Sequence, residues 1–437
     1  MKTIRYPKKS AWNNILTRPA IDTKFLEKTV ANILEDVKKH GDAALKHCAR
    51  HFDKVELDDF LVSEQEFADA EQRVSAELKK AIALAKANIE KFHRAQKEEP
   101  EVIETTNGVF CWRKSVAIER VGLYVPAGTA PLFSTVLMLA IPAKLAGCKE
   151  IVICSPPDRD GKINDVTLYA ARVCGATKVF KIGGAQAVGA LAFGTETVPR
   201  VDKIFGPGNQ FVTEAKQQVS KFGTAIDMPA GPSEVAVFAD ETAIPAFAAA
   251  DLLSQAEHGI DSQVLLVSTS EKVIEETLVE VEKQLETLPR QAIAAKALEN
   301  SKAVLLENTE EAIAFLNEYA AEHLILAVEN AHRIADEIVN AGSVFIGNYS
   351  CESAGDYASG TNHTLPTNAA AKAFSGVSLD SFVKKITFQK LTADGIVNLG
   401  RAVECMAEAE GLQAHKNAIT VRLKALAEKG KEEMGRG

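Results

Sequence analysis

The chain has no C-x-x-C pair. Its seven cysteines, Cys48, Cys111, Cys148, Cys154, Cys174, Cys351 and Cys405, are odd in number and scattered. That excludes a zinc ribbon and a thioredoxin-type motif, and reads as reduced thiols packed as small apolar groups in a cytoplasmic protein. No run approaches the roughly 18 uncharged apolar residues of a membrane helix. The nearest, Tyr124 to Pro142, is broken by Pro126, Gly128 and Pro131. No apolar stretch follows Lys2, Arg5, Lys8 and Lys9, so a secretory signal is not expected. Basic residues are not in excess: 50 Lys and Arg face 59 Asp and Glu, net −9, with no long basic run. A nucleic-acid partner is therefore not expected, and neither is a membrane one. Walker and G-x-G-x-x-G motifs are missing too.

What is present is ordinary for a soluble globular protein: 46% apolar and 25% charged residues over 437 positions. Such a length fits two or three domains at about 150 residues each. Residues 1–120 read as helical, with three- and four-residue apolar spacing over Asp22–Arg50 and Ser63–Glu98 and a capping-box pattern at Ser63 and Glu66. This section is expected to wrap or dimerise rather than carry chemistry. From Val121 short apolar runs alternate with helical patterns. Lys149–Ser155, Lys178–Ile182 and Asp202–Phe205 read as strands between helices at Asp165–Cys174, Ala185–Phe193 and Phe211–Val219. Ser233–Phe238, Ser262–Ser268, Ser301–Leu306, Leu324–Val328 and Gly342–Ile346 repeat the pattern, with helices at Ile244–Glu257, Glu271–Leu285, Thr309–Tyr319 and Ala331–Asn340. The fold class is α/β: two successive Rossmann-like parallel-sheet units, 121–235 and 236–375, with helical N- and C-terminal extensions, the latter over 376–437.

Two glycine-rich turns, Gly183-Gly184-Ala185-Gln186 and Gly206-Pro207-Gly208-Asn209, each follow a strand and open a helix. There a backbone can approach a phosphate at a helix N-terminus, although plain strand-to-helix turns look the same. Of nine histidines, His40, His47, His51, His93 and His332 fall in helical, charged patterns and read as surface residues. His258, His323, His363 and His415 sit beside carboxylates or amides at element ends. Gln255 and His258 share a helix face, with Gly259 as the expected cap. Glu322-His323 lies at a helix-to-strand junction, where a carboxylate and an imidazole can act as general acid and base. Ser353 to His363 reads as a long polar loop bearing Asp356 and His363 as candidate ligands. Glu410 and His415 flank a break capped by Gly411. Each feature also has an ordinary structural reading. Together Gln255, His258, Asp356 and His415 offer two imidazoles, a carboxylate and an amide oxygen. That set suits Zn²⁺ or Mn²⁺ with positions left for substrate.

Eight blocks then resemble one family in order along essentially the whole chain. They are Val121-Gly-Leu-Tyr-Val-Pro-Ala-Gly, Gly183-Gly-Ala-Gln, Ile204-Phe-Gly-Pro-Gly-Asn, Asp227-Met-Pro-Ala-Gly-Pro-Ser, Ser254-Gln-Ala-Glu-His-Gly, Glu322-His-Leu, Ser353-Ala-Gly-Asp-Tyr-Ala-Ser-Gly-Thr-Asn-His and Ala414-His-Lys-Asn-Ala. The sequence resembles the histidinol dehydrogenases. The resemblance implies four-electron oxidation of L-histidinol through L-histidinaldehyde to L-histidine, with two NAD⁺ reduced. It implies Zn²⁺ on Gln255, His258, Asp356 and His415, and Glu322 and His323 as the acid–base pair. Substrate contacts carry over to Ser233, His363 and Glu410, to His323 and to the metal ligands. NAD contacts carry over to Tyr124, Gln186 and Asn209. It implies a homodimer in which Glu410 and His415 are supplied to the partner's site. A hydrated aldehyde would make a cysteine nucleophile unnecessary, although Cys111 and Cys154 are the thiols to consider. The competing readings are a dehydrogenase of another amino alcohol or a sulfonate, and a metal-binding protein that lost turnover.

Overall fold

The structure, a computed structural model, describes residues 1–18, 23–127, 131–228 and 231–434. Asp22, Gly128, Pro229 and Ala230, used in the sequence reading, lie outside the described residues. Two compact units emerge: Met1–Gln96 with Ile118–Phe382, and Lys97–Ala117 with Val383–Gly437.

The larger unit opens with β1 (Lys2–Arg5), followed by helices that include Thr23–His40, Glu64–Arg73 and Ala76–Arg94. The capping box forms as the sequence suggests: Glu66 N–H donates to Ser63 Oγ at 3.3 Å and Ser63 N–H to the Glu66 carboxylate at 2.8 Å. Two donors at the helix start are thereby satisfied. β2 (Val102–Thr106) and β3 (Val109–Ala117) belong to the smaller unit. The larger unit resumes with β4 (Arg120–Tyr124), β5 (Glu150–Ser155), β6 (Lys178–Lys181), β7 (Lys203–Phe205) and β8 (Ala225–Ile226). They form an all-parallel sheet in the order β6-β5-β4-β7-β8. β9 (Glu234–Ala239), β10 (Gln263–Ser268), β11 (Lys302–Leu305), β12 (His323–Ala327) and β13 (Ser343–Ile346) make a second parallel sheet, with β1 added at its edge beside β11. All six residues of β9 and of β10 are buried. Strands covered by helices on both faces read as unbroken apolar runs, which is why these were visible in the sequence.

The Tyr124–Pro142 stretch resolves into a core helix, Ser134–Ala146, buried on every side from Ser134 to Ala143. No helix among the described residues is long and apolar enough to cross a membrane.

In the smaller unit β14 (Val383–Leu391) pairs antiparallel with β3, and β3 with β2. Helices Ala393–Ala409 and Gln413–Met434 follow, joined where the Thr420 hydroxyl donates to Glu404. The terminal extensions are therefore not purely helical. β1, β2 and β3 lie in the stretch read as helical, and β14 in the C-terminal one. The β2–β3 turn is Asn107-Gly108, with Gly108 at φ 81°, a hairpin signal in plain view. β1 is four residues long and has no period to read.

Three local expectations are corrected. His93 is fully buried, not a surface residue: its Nδ1 donates to the Ile89 carbonyl at 3.1 Å and its Nε2 lies 3.4 Å from Asn362 Nδ2. The helix before His258 ends at Ala256, and Gly259 is not in the left-handed region, so it does not cap it. The first part of the polar segment is a helix, Glu352–Tyr357, rather than a loop. Its carboxylates turn inward four residues apart, so a stretch that looked solvated is packed.

Candidate active site

Glu322 and His323 stand at the amino end of β12, after Ala320 in a left-handed conformation (φ 52°) closes the preceding helix. β12 runs beside β9, with His323 opposite Val235. One residue of the neighbouring strand, Glu234, receives both side chains through its backbone N–H and carbonyl. Glu234 N–H donates to Glu322 Oε2 at 2.9 Å. His323 Nδ1 lies 3.2 Å from the Glu234 carbonyl. A carbonyl oxygen only accepts, so Nδ1 carries the proton. Nε2 is thereby left to face Asp356 Oδ1 at 3.4 Å. Ser233, one residue upstream of β9, is half-buried, and its carbonyl accepts from Gln263 N–H at 3.2 Å.

The cation candidates converge on the same place. His258, Glu352 and Asp356 offer ligand atoms within 4.8 Å of one another. Gln255 Oε1, Glu352 Oε2, Asp356 Oδ1 and His323 Nε2 are buried without a hydrogen-bond partner. Buried polar atoms are normally paired. Unsatisfied oxygens beside an imidazole therefore fit a divalent cation taking O and N donors. Gln255, a further candidate, is buried with Oε1 unpaired; His258 and Asp356 were expected in this group, and Glu352 was not. Its signal was its place four residues before Asp356, on the same helix face. His415 is not part of this cluster. It lies exposed near the start of the helix Gln413–Met434 in the smaller unit, and Glu410, also exposed, caps the helix before it. Gly411 has φ 72°, as its capping role requires.

The charges are strongly coupled. Burial raises the Glu322 carboxyl to about 8, although His323 and the Glu234 N–H oppose it. Burial also pushes Glu352 well up, with the Asp356 carboxylate adding to it. For Asp356 burial is overridden by His323, which holds the carboxyl below its ordinary value. His323 is itself penalised by burial, yet Glu352, Glu322 and Asp356 lift it to about 10. Half-buried His363 donates Nδ1–H to the Asp356 carbonyl at 3.0 Å and has Nε2 3.4 Å from Thr135 Oγ1. Burial lowers its pKa and favours the neutral ring.

The glycine-rich turns lie at the carboxyl ends of β6 and β7. Gly184 takes φ 62°, and its N–H donates to the Tyr124 hydroxyl at 3.1 Å. Gly206 takes φ 120°, where a Cβ would strike the Tyr124 carbonyl. Tyr124 and Gln186 are buried, and Asn209 caps its helix through Oδ1 to Phe211 N–H and Val212 N–H. A feature unread in the sequence pins the second turn. Gly206 N–H donates to Asp227 Oδ2 at 2.8 Å, and Lys216 Nζ donates to the Gly206 carbonyl at 2.9 Å. Lys216 and Asp227 themselves form a buried ion pair. Removing one partner strands the other, so Lys216→Met is expected to cost about 3–5 kcal/mol in denaturant unfolding. A loss under about 1 kcal/mol, the range of exposed pairs, would contradict this. Cys154 is fully buried in β5, and burial drives its thiol far above the ordinary range, against a thiolate role.

The chain is similar to known proteins along nearly its whole length. The family model described as histidinol dehydrogenase matches residues 16–423. A histidinol dehydrogenase of Bacteroides fragilis (strain YCH46) is 59% identical over 426 residues, 98% of this chain and 100% of that protein. The one from Escherichia coli (strain K12) is 52% identical over 417 residues, 95% of each chain. A crystal structure of histidinol dehydrogenase from Elizabethkingia anophelis superposes with a TM-score of 0.96 at 57% identity, covering 98% of this chain and 99% of that one. With a family match along nearly its whole length and relatives more than half identical to it, the chain belongs to the histidinol dehydrogenase family.

Proposed function

We propose that the chain oxidises L-histidinol through L-histidinaldehyde to L-histidine, reducing two NAD⁺ and completing histidine biosynthesis in the cytoplasm. The observation that carries this reading is the buried Glu322–His323 pair, held by the backbone of Glu234 and facing a cluster of unpaired N and O donors. Seven free cysteines accord with a reducing compartment.

Gln255, His258 and Asp356, with His415 of a second copy, would hold Zn²⁺, Mn²⁺ being the alternative. A cation there would supply orientation of the substrate's imidazole and amine, and NAD⁺ would supply the hydride acceptor. Residues 121–235 hold NAD through Tyr124, Gln186 and Asn209, while 236–375 carry the metal and acid–base residues. The bond from Nδ1–H to the Glu234 carbonyl leaves His323 Nε2 to take the proton of the carbinol hydroxyl. Glu322, tied by Oε2, draws a proton from the water that hydrates the aldehyde. Its raised pKa suits exchange near neutral pH. Neutral His363, Ser233 and the partner-donated Glu410 position the substrate. Donation from a second copy is supported by the exposure of Glu410 and His415 on a helical hairpin bearing exposed Val397, Met406, Leu412 and Val421.

The test is the NADH yield from limiting L-histidinol with excess NAD⁺ and zinc-loaded protein. Two per histidinol are expected. One would mean that oxidation stops at the aldehyde, against the role given to Glu322. None, with zinc bound, would overturn the reading.

A further inference from the structure

Arg18 reaches the acid–base pair through a single residue. Its guanidinium forks onto the Glu234 carboxylate, Nε to Oε1 at 2.5 Å and Nη2 to Oε2 at 2.9 Å. Nη2 also donates to the Tyr319 carbonyl at 2.7 Å, and the guanidinium lies 4.2 Å from the Tyr319 ring centroid. Asn368 N–H adds another donor to Oε1 at 2.9 Å. The Tyr319 hydroxyl donates in turn to Gln263 Oε1 at 3.0 Å. Glu234 and Tyr319 are both buried. Glu234 is thus clamped by its side chain on one side, while its own N–H and carbonyl hold Glu322 and His323 on the other. A planar fork suits this task in a way that a lysine does not: it fixes the carboxylate in direction as well as in distance.

We propose that Arg18 is a positioning residue, fixing through the Glu234 side chain the backbone N–H and carbonyl of that residue, which aim Glu322 and His323. The inference rests on the role proposed for that pair. Without the guanidinium, Glu234 loses the fork that fixes its direction, and the start of β9 loses its tie to Arg18. A shift of the β9 start then misplaces the reacting groups, and a misplacement of about 1 Å costs on the order of 100-fold in rate.

The test compares full-length, zinc-loaded Arg18→Met, Arg18→Lys and the double variant Arg18→Met with Glu234→Leu. The double variant also removes the carboxylate, so it remains informative if the single variant does not fold. Zinc content, kcat and KM for L-histidinol are measured, together with solvent exchange of the His323 Nδ1 proton by ¹⁵N NMR. Arg18→Met and the double variant are expected to lose about 10- to 100-fold in kcat, with KM within about threefold, zinc unchanged and the Nδ1 proton exchanging faster. Arg18→Lys should recover part of the rate. Unchanged kcat and exchange in a folded variant, a loss that merely follows zinc content, or a double variant restored to full kcat would overturn the proposal. His323→Asn is run alongside. If it turned over like the parent, the role of the pair would fail, while Nδ1 exchange in the Arg18 variants would still decide whether Arg18 fixes the Glu234 backbone.

Discussion

Replacing His323 with asparagine is expected to lower kcat by about 10²- to 10⁴-fold, the usual contribution of a positioned general base. Asparagine is a discriminating choice. Its side-chain amide N–H can still donate to the Glu234 carbonyl that now receives Nδ1, so the strand end keeps its bond. What disappears is Nε2, the atom facing Asp356 and the unpaired donors. Gln255, His258 and Asp356 are untouched, so zinc content should stay at the parent level. Turnover within threefold of the parent, with zinc retained, would remove His323 from the mechanism. The same residue carries a pH signature. In the cation-free protein burial lowers its pKa, but Glu352, Glu322 and Asp356 raise it further, to about 10. Because the folded value lies above the ordinary one of about 6.5, this imidazolium stabilises the zinc-free fold fully below pH 6.5 and loses that contribution as pH rises through 10. A base must be neutral, and a divalent cation beside Asp356 disfavours a second positive charge there. Zinc-free protein should therefore show a charged His323 ring at pH 8 by NMR, and zinc-loaded protein a neutral one.

Much of the fold was legible because parallel strands buried on both faces are apolar from end to end. Glu271–Leu285 and Thr309–Tyr319 form as the sequence spacing suggests, and the second sheet's strands fall within a residue or two of their expected ends. Readability failed where elements are short or face a local partner. β1 has four residues and gains its place only by pairing with β11, some 300 positions away. β2, β3 and β14 form a small antiparallel sheet whose residues are largely exposed or half-buried, so no long apolar run marks them. The Asn107-Gly108 turn was the available signal, and the helical periodicity of the preceding segment obscured it.

The site was legible by chemistry more than by periodicity. Glu322 and His323 stood out because an adjacent carboxylate and imidazole opened a strand, and Gln255 with His258 because three-residue spacing suggested a shared helix face, although the helix ends at Ala256. Glu352 lies just before the segment Ser353–His363, whose polar residues suggested a loop, and did not stand out. Its inward turn depends on the helix Glu352–Tyr357, which polar composition does not announce. Arg18, Lys216 and Asp227 were invisible for a different reason. Arg18 acts on residues more than 200 positions away, and Lys216 and Asp227 act on the Gly206 backbone of a nearby turn, whereas a lone charged residue in sequence looks like surface. His415 and Glu410 mark the opposite limit: named from the resemblance, they lie exposed in the smaller unit and outside the cation cluster of the larger one.

Glu322→Gln should make the zinc-free protein more stable, and the gain should grow with pH. Burial raises the Glu322 carboxyl from 4.5 to about 8. The folded protein thus holds this proton more tightly than the unfolded chain does. Between pH 4.5 and 8 the unfolded state releases it first, so the parent loses stability as pH rises across that window and reaches a plateau above it. Glutamine does not titrate, and its carbonyl can still accept from Glu234 N–H, so the local bond survives. The difference should be near zero at pH 4.5 and reach at most about 5 kcal/mol by pH 9, each pKa unit being worth about 1.4 kcal/mol. Urea unfolding of both zinc-free proteins at pH 5 and pH 9 measures it. An equal gap at both pH values would mean that burial does not govern this carboxyl. The same substitution should stop oxidation near one NADH per histidinol, since no carboxylate remains to draw a proton from the hydrating water. Greater stability with half the product would mark Glu322 as a group kept ionisable in the core at a cost to the fold.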